Sequence, residues 1–211
     1  MHRGGEVMKT LVVTGGIGSG KSAVCSVLQE LYGCGVYKAD ERVKMLYVEH
    51  PSLLDDIEHA LGDKYRDADG TFQPKKLAAR IFSDRQALET VETFVFPVLE
   101  EDYRKWSVKH AEDAFAVFES ATILEKPQLK GFGDRTVLVD APYEIRLARA
   151  CRRDAVPEDA VVARMENQKL MNSISRGEIE APVDAVILND GTLEELKRQT
   201  VKIIEELLIL K

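Results

Sequence analysis

Five short apolar runs, separated by longer stretches of helical periodicity, organise this chain. The runs are nearly continuous rather than alternating and are rich in β-branched and aromatic residues, as in parallel strands covered on both faces. Helical patterns lie between them, which is the strand–helix rhythm of a doubly wound sheet. The pattern therefore predicts an α/β fold built on a five-stranded parallel sheet. The predicted strands are residues 11–14, 35–37, 115–119, 137–140 and 185–188.

Two stretches are longer than a simple strand–helix–strand connection requires. Residues 50–114 carry only helical and turn-like patterns, which predicts a helical insert rather than one crossover helix. Residues 149–178 are rich in charge, which is typical of a lid over phosphate groups. The arginines of this predicted lid are Arg149, Arg152, Arg153, Arg164 and Arg176.

The remaining segments are predicted to complete one domain over residues 8–211. Its core comprises residues 8–49, 115–148 and 179–211, and its last helix runs over residues 192–210 with acidic residues in the first turn. Residues 1–7 contain no apolar segment and are predicted to be a disordered leader rather than a signal peptide.

Residues 15–22 read Gly-Gly-Ile-Gly-Ser-Gly-Lys-Ser and fit the phosphate-binding pattern G-x-x-x-x-G-K-[ST]. The glycines let successive backbone N–H groups turn inward toward an anion. Lys21 is expected to contact the β- and γ-phosphates, and the Ser22 hydroxyl a magnesium ion. A predicted strand precedes the segment and a helical pattern follows it, as the motif requires. The chain is therefore predicted to bind a nucleoside triphosphate with Mg²⁺.

Composition and charge limit the partners and the cellular location that the sequence predicts. The chain has 211 residues and a net charge of −7 at pH 7, which disfavours nucleic-acid and membrane-surface partners. No apolar stretch is as long as a membrane span. Cys25, Cys34 and Cys151 have neither metal-ligand nor paired spacing, so they are predicted to be buried free thiols. These properties predict a cytoplasmic protein.

Three classes of protein use such a loop, and the other motifs favour one of them. A regulatory GTPase needs D-x-x-G after an apolar strand and N-K-x-D for guanine; residues 67–70 match the first pattern but follow no strand, and the sequence lacks the second. A motor ATPase is normally longer and has an acidic pair after a hydrophobic strand. An insert and a lid suit a small-molecule kinase, which holds a second substrate and excludes water from the transferred phosphoryl group.

Two acidic residues follow or end predicted strands at the edge where such folds bind ligands. Asp40 suits a base toward an acceptor hydroxyl, and equally an N-cap for a helix starting at Glu41. Glu119 suits a magnesium ligand acting through water, and equally a solvated strand end.

Two basic residues of the predicted lid lie on one helical face. Arg149 and Arg153 are four positions apart and suit the stabilisation of charge on a transferred phosphoryl group. Ion pairs with Glu144 or Asp154 are the structural alternative.

From Met8 onward the chain resembles the dephospho-coenzyme A kinases, P-loop kinases that use ATP to phosphorylate the ribose 3′-hydroxyl of dephospho-CoA. The phosphate-binding loop matches the family pattern almost letter for letter from Thr14. The resemblance continues through Ala39-Asp40; Asp69-Gly70 with Leu77 and Ile81-Phe82; Leu138-Val139-Asp140-Ala141-Pro142 with Arg149, Arg153 and Asp154; Arg164 with Gln168; and residues 184–191.

The resemblance implies a P-loop kinase fold in which residues 50–114 bind the acceptor. It implies that Asp40 is the base, that Lys21, Arg149 and Arg153 act on the transferred group, and that Asn189 lies near adenine. The implied substrates are ATP and dephospho-CoA, and the expected assembly is a monomer or weak homo-oligomer. The ATP-binding set is Gly16, Ile17, Gly18, Ser19, Gly20, Lys21, Ser22 and Asn189, with Ser22 and Glu119 for magnesium.

Three positions in or near the acceptor half depart from the family pattern. Lys38 replaces an aspartate, Pro74 an arginine and Phe96 a histidine. Two alternatives therefore stay open beside the family's own reaction: another P-loop kinase for a nucleoside or nucleotide, and a regulatory NTP-binding module with little turnover.

Overall fold

A five-stranded parallel sheet forms the centre of the computed structural model, which describes residues 9–208. The sheet order is β2-β3-β1-β4-β5, so the predicted α/β fold with a five-stranded parallel sheet is confirmed. The leader predicted over residues 1–7 and the end of the last helix predicted to reach residue 210 lie outside the described residues. The strands are β1 (Lys9–Thr14), β2 (Val36–Lys38), β3 (Phe115–Glu119), β4 (Arg135–Asp140) and β5 (Ala185–Leu188).

The central strand β1 is apolar along its inner length because helices cover both faces of the sheet. Leu11, Val12 and Val13 are fully buried, and each such side chain contributes roughly 1.5–3 kcal/mol of hydrophobic stabilisation. On one face, Leu11 and Val13 share a core cluster with residues of α1 (Lys21–Tyr32) and α9 (Leu193–Leu208), among them Leu28 and Ile204.

The strand order determines where a ligand can reach the sheet. From β1 the chain leads to β2 and β3 on one side, and later to β4 and β5 on the other. Such a reversal opens a crevice at the carboxyl ends of the strands. In the register, Val13 of β1 lies beside Glu119 of β3, and Thr14 lies beside Leu138 of β4. The ends of these three strands therefore meet at one edge.

The chain divides into two compact units. Residues 9–38 and 109–208 form the sheet unit, and Ala39–Val108 form a helical unit. The helical unit contains α2 (Ala39–Glu49), α3 (Pro51–Leu61), α4 (Pro74–Ser83) and α5 (Arg85–Val108). The further helices of the sheet unit are α6 (Tyr143–Asp154), α7 (Glu158–Glu166) and α8 (Lys169–Ser175), with two short 3₁₀ turns after β3.

The helical unit begins earlier than the predicted insert of residues 50–114, because α2 belongs to it. The guanidinium of Arg42 on α2 donates two hydrogen bonds to the Asp102 carboxylate on α5, at 2.7 and 2.8 Å. Arg42 also pairs with Glu49 at the end of its own helix. Planar, bidentate arginine–carboxylate pairing fixes both distance and orientation, so it holds α2 on α5.

Helix α2 starts at Ala39, directly after β2. The sequence allowed Asp40 to be the N-cap of a helix beginning at Glu41, and this placement is wrong. Asp40 and Glu41 instead both lie in the first turn of α2. There, their negative charges interact favourably with the helix dipole.

Among residues 9–208, no helix combines the length and the apolar composition that a membrane crossing needs. All three cysteines are unpaired. Cys25 and Cys34 are buried as predicted, whereas Cys151 is only half-buried.

We expect a disulfide reagent to modify Cys151 well before the other two thiols in the native protein. Burial raises the pKa of Cys25 to about 12 and that of Cys34 to about 11, and only the thiolate reacts. The measurement is the rate at which the protein thiols displace the thiol leaving group of the reagent at about pH 8, near the ordinary thiol pKa. Cys151→Ser should remove the fast phase; a fast phase that persists in this variant would contradict the burial of Cys25 and Cys34.

Candidate active site

The loop between β1 and α1 is closely packed, and two of its glycines are needed for both conformation and space. Gly18 and Gly20 have φ values of 76° and 99°, in the left-handed region. A Cβ on Gly18 would lie 2.1 Å from the carbonyl oxygen of Arg146, and one on Gly20 would lie 2.0 Å from Nδ2 of Asn189. The backbone of residues 15–20 therefore lies directly against helix α6 and the end of β5.

A cation, a hydroxyl and a carboxylate are placed around the start of α1. Lys21 Nζ donates a hydrogen bond to the carbonyl oxygen of Gly15 at 2.8 Å and lies 3.9 Å from Oε1 of Glu119. Ser22 follows on the first turn of α1 with an exposed side chain. Because the N-terminus of this 12-residue helix favours negative charge, the arrangement suits a bound anion together with a counter-cation.

Both main-chain polar groups of Ile17 are bound by side chains from the segment that follows β4. The N–H of Ile17 donates to Oε1 of Gln168 at 2.8 Å, and its carbonyl oxygen accepts from Nε of Arg146 at 3.1 Å. The Ile17 side chain packs against the small cluster of Ala150, Val161 and Met165, through which α7 contacts α6. The middle of the loop therefore depends on the segment that follows β4.

The end of β5 contacts the same loop through Asn189. Asn189 is 6% exposed, and its side chain donates from Nδ2 to the carbonyl oxygen of Ser19 at 2.8 Å. Arg149 donates to the carbonyl oxygen of Asn189 at 2.9 Å and to its Oδ1 at 3.4 Å. Arg149 thus secures Asn189 against the loop and pairs with neither of the acidic residues that the sequence suggested.

Arg153 has the structural partner that the sequence offered. It donates from Nε to one carboxylate oxygen of Asp154 at 2.6 Å and from Nη2 to the other at 3.1 Å, and Arg164 donates to Asp154 at 2.6 Å. The hydrogen bonds from Arg153 and Arg164 hold the pKa of Asp154 far below its ordinary value. The two arginine side chains are largely exposed, whereas that of Asp154 is 19% exposed.

A family model described as Dephospho-CoA kinase matches residues 10–195 of the chain. The chain belongs to the dephospho-CoA kinase family. A Dephospho-CoA kinase from Chlorobaculum tepidum is 35% identical over 204 residues, which cover 93% of both chains. A crystal structure from Thermus thermophilus has a TM-score of 0.78 at 25% identity and covers 96% of this chain and 99% of its own. Dephospho-CoA kinase from Campylobacter jejuni, with a TM-score of 0.59 at 21% identity over 93% of this chain and 96% of its own, supports the fold.

In this dephospho-CoA kinase family member, the structure brings most of the residues selected from the sequence into one place. Residues 16–22, Glu119, Asn189 and Arg149 all surround the start of α1. Arg153 lies at the end of α6 with Asp154, and Asp40 lies two residues beyond β2 in the helical unit.

Two residues that hold the loop were not given a role by the sequence. Gln168 forms part of a motif, but its contact with Ile17 was not foreseen, and Arg146 was not selected at all. Arg146 occupies the core-facing stripe of α6 one turn before Ala150, and both residues are buried. The sequence signal that could have identified Arg146 is a charged residue at a position where the helical pattern requires an apolar one.

Proposed function

We propose that this protein transfers the γ-phosphoryl group of ATP to the 3′-hydroxyl of the ribose of dephospho-CoA, giving coenzyme A and ADP. The observation that carries the proposal is the glycine loop with Lys21 at its end, in a chain of the dephospho-CoA kinase family. In this reaction the bond between the 3′-oxygen and the γ-phosphorus forms, and the bond from the γ-phosphorus to the bridging oxygen of ADP breaks.

The phosphates of ATP bind, in this proposal, to the loop and to the start of α1. The backbone N–H groups of residues 16–22 and the helix N-terminus supply donors for the anion. Lys21 exchanges the carbonyl of Gly15 for the β- and γ-phosphates, and its positive charge offsets the charge that develops on the leaving group. Asn189, which contacts the loop at Ser19, lies near adenine.

A magnesium ion fits the donor set at this edge. Mg²⁺ is normally held by one or two protein oxygens together with phosphates and several waters, and Ser22 and Glu119 offer a hydroxyl and, through water, a carboxylate. When bound, it would neutralise charge on the β- and γ-phosphate oxygens. The 3.9 Å separation of Glu119 from Lys21 Nζ keeps that carboxylate charge-balanced.

Asp40 accepts the proton of the 3′-hydroxyl, or orients that hydroxyl, in the proposed mechanism. Arg149 and Arg153 stabilise the charge of the transferred group. Arg149 acts from its place beside Asn189 and the loop. Arg153 exchanges Asp154 for phosphate oxygens, and Arg164 remains paired with the Asp154 carboxylate.

Residues 50–114 bind the acceptor and residues 149–178 act as a lid in the proposed arrangement, within one P-loop kinase domain. The substrates are ATP and dephospho-CoA, without a nucleic-acid or membrane partner. We further propose a cytoplasmic location and a monomer or weak homo-oligomer.

A screen of acceptors tests the proposed function. With ATP and Mg²⁺, we expect rapid ADP release with dephospho-CoA and only background release with adenosine, AMP, CMP or pantothenate. Identification of coenzyme A as the product checks that the 3′-hydroxyl is phosphorylated. Faster release with a nucleoside or nucleotide would assign a different kinase activity, and ATP binding without turnover of any acceptor would indicate a regulatory module.

A further inference from the structure

A buried arginine lies beneath the phosphate-binding loop and belongs to none of the roles described above. Arg146 on α6 is 1% exposed, although a buried guanidinium is costly to desolvate. Its nearest carboxylate oxygen is Oδ1 of Asp140, 3.7 Å from Nη1. Nη2 is buried and has no hydrogen-bond partner among residues 9–208. Such a placement calls for an explanation beyond packing.

The loop rests on Arg146 at three consecutive residues. A Cβ on Gly16 would lie 2.3 Å from Nη2 of Arg146, and one on Gly18 would lie 2.1 Å from its carbonyl oxygen. Between them, the carbonyl oxygen of Ile17 accepts the hydrogen bond from Nε of Arg146 at 3.1 Å. The Arg146 side chain and backbone therefore help to fix the backbone conformation of residues 16–18.

The same guanidinium contacts the end of α8. Nη1 of Arg146 donates to the hydroxyl of Ser175 at 3.0 Å, and this hydroxyl donates in turn to Oδ1 of Asp140 at 2.9 Å. Ser175 is exposed and is the last residue of α8. One planar side chain thus joins the phosphate-binding loop to the far end of the predicted lid, which a lysine could not do because it lacks the forked donors.

We propose that Arg146 is a positioning residue that couples the phosphate-binding loop to helix α8 through Ser175. ATP on the loop then favours the ordered position of α8, and an ordered α8 strengthens ATP binding by the same factor, since coupling between two sites is reciprocal. The proposal rests on the proposed role of the loop in binding ATP. A purely structural buried arginine would stabilise the fold without linking these two segments.

Ser175→Ala tests the coupling at an exposed position, where the variant should fold. Loss of the hydroxyl should raise KM for ATP by about 3–10-fold, as expected for the net contribution of one ordinary hydrogen bond. The KM for dephospho-CoA and kcat should stay within about twofold, since a surface substitution outside the proposed acceptor and transfer sites has a small effect. Ser175→Thr, which keeps the hydroxyl, should restore the ATP KM. The matched control is Ser173→Ala on the same helix, whose hydroxyl contacts Glu178 instead.

A second variant shows whether the hydroxyl acts through Arg146 or only through Asp140. Arg146→Gln cannot span Ile17 and Ser175, and it should weaken ATP binding on its own. In this background Ser175→Ala should have no further effect on the ATP KM, whereas additive effects would place its action elsewhere. Arg198→Gln, at an exposed position of α9 outside the predicted lid, controls for the lost charge.

Hydrogen exchange of α8 distinguishes coupling from a purely structural role of Arg146, because a structural role would not make the exchange rate depend on ATP. A non-hydrolysable ATP analogue should protect the amides of residues 169–175 in the wild-type protein but not in Ser175→Ala, at equal saturation. Unchanged exchange of α8 in the wild-type protein, or an unchanged ATP KM in Ser175→Ala, would overturn the coupling. Failure of the wild-type protein to bind the analogue at all would instead refute the proposed function. The experiment therefore distinguishes failure of the coupling from failure of the proposed function.

Discussion

Replacing Lys21 by alanine should lower kcat for phosphorylation of dephospho-CoA by roughly 10²–10³-fold or more, the usual cost of removing one preorganised charge-stabilising donor. Phosphoryl transfer depends almost entirely on positioning and electrostatic stabilisation, because the transition state needs little covalent help from the protein. Lys21 is the cation that lies at the join of the loop and α1, beside Glu119. Steady-state kinetics with ATP and dephospho-CoA give the measurement.

The fold of Lys21→Ala should survive. The Lys21 side chain is 12% exposed, so it is mostly buried, and its removal costs hydrogen bonds to the carbonyl oxygens of Gly15 at 2.8 Å and Gly16 at 3.5 Å. Such a bond contributes about 1 kcal/mol, which a thermal unfolding curve would show as a small shift. The matched control is Lys197→Ala, which removes one positive charge from a surface pair with Glu30 and should leave kcat unchanged.

Near-normal turnover by a folded Lys21→Ala protein loaded with magnesium would remove the basis for assigning the loop to the triphosphate. Equal losses in Lys21→Ala and Lys197→Ala would point to net charge rather than to the site. A large loss in Lys21→Ala alone supports the assignment.

The sheet and the loop could be predicted from the sequence because local patterns determine them. A parallel strand covered on both faces must be continuously apolar, as Leu11, Val12 and Val13 are, so the strand is visible without knowledge of its neighbours. The loop that follows needs glycines for its backbone and a lysine at a set spacing. These constraints lie within a few residues of one another.

The contacts that hold the loop could not be predicted, because their partners are far apart along the chain. Arg146 and Ile17 are separated by 129 positions, and Gln168 and Ile17 by 151. Helical spacing predicts that Arg149 and Arg153 share one face of a helix, but the partner of Arg149 is Asn189, 40 positions away, rather than an acidic neighbour. Local periodicity shows which residues share one face of a helix, but it does not identify the residues that this face contacts.

The start of the helical unit was mispredicted for the same reason. Residues 39–49 follow β2 directly and look like part of the core from sequence alone. Their place in the helical unit follows from contacts of α2 with α3 and α5, among them the pairing of Arg42 with Asp102, which spans 60 positions. Such long-range contacts are not visible in a local sequence pattern.

Asp40→Asn should lower kcat by roughly 10²–10⁴-fold, the range expected for loss of a general base. Asparagine has nearly the same size, but it cannot take up the proton of the 3′-hydroxyl. The loss should fall toward the low end of this range, because a loose transition state needs little help from a base. Affinity for ATP should change little, since Lys21 and the loop are untouched. Single-turnover kinetics with dephospho-CoA and a separate ATP binding measurement distinguish the two effects.

The position of Asp40 in the first turn of α2 sets the expected effect on stability. Removing its charge forfeits a favourable interaction with the helix dipole worth about 0.3–1 kcal/mol. Glu41 lies in the same turn and is also exposed, so Glu41→Gln is the matched control: it should show a similar change in stability and normal turnover.

The comparison of these two variants decides between a chemical and a structural role for Asp40. If the carboxylate acts only on the helix dipole, Asp40→Asn and Glu41→Gln should lose similar stability, and both should phosphorylate dephospho-CoA at the wild-type rate. If Asp40 accepts or orients the proton of the acceptor hydroxyl, the two variants should match in stability and differ by orders of magnitude in kcat. Because only the second outcome separates turnover from stability, a wild-type rate for Asp40→Asn would show that the base is another residue.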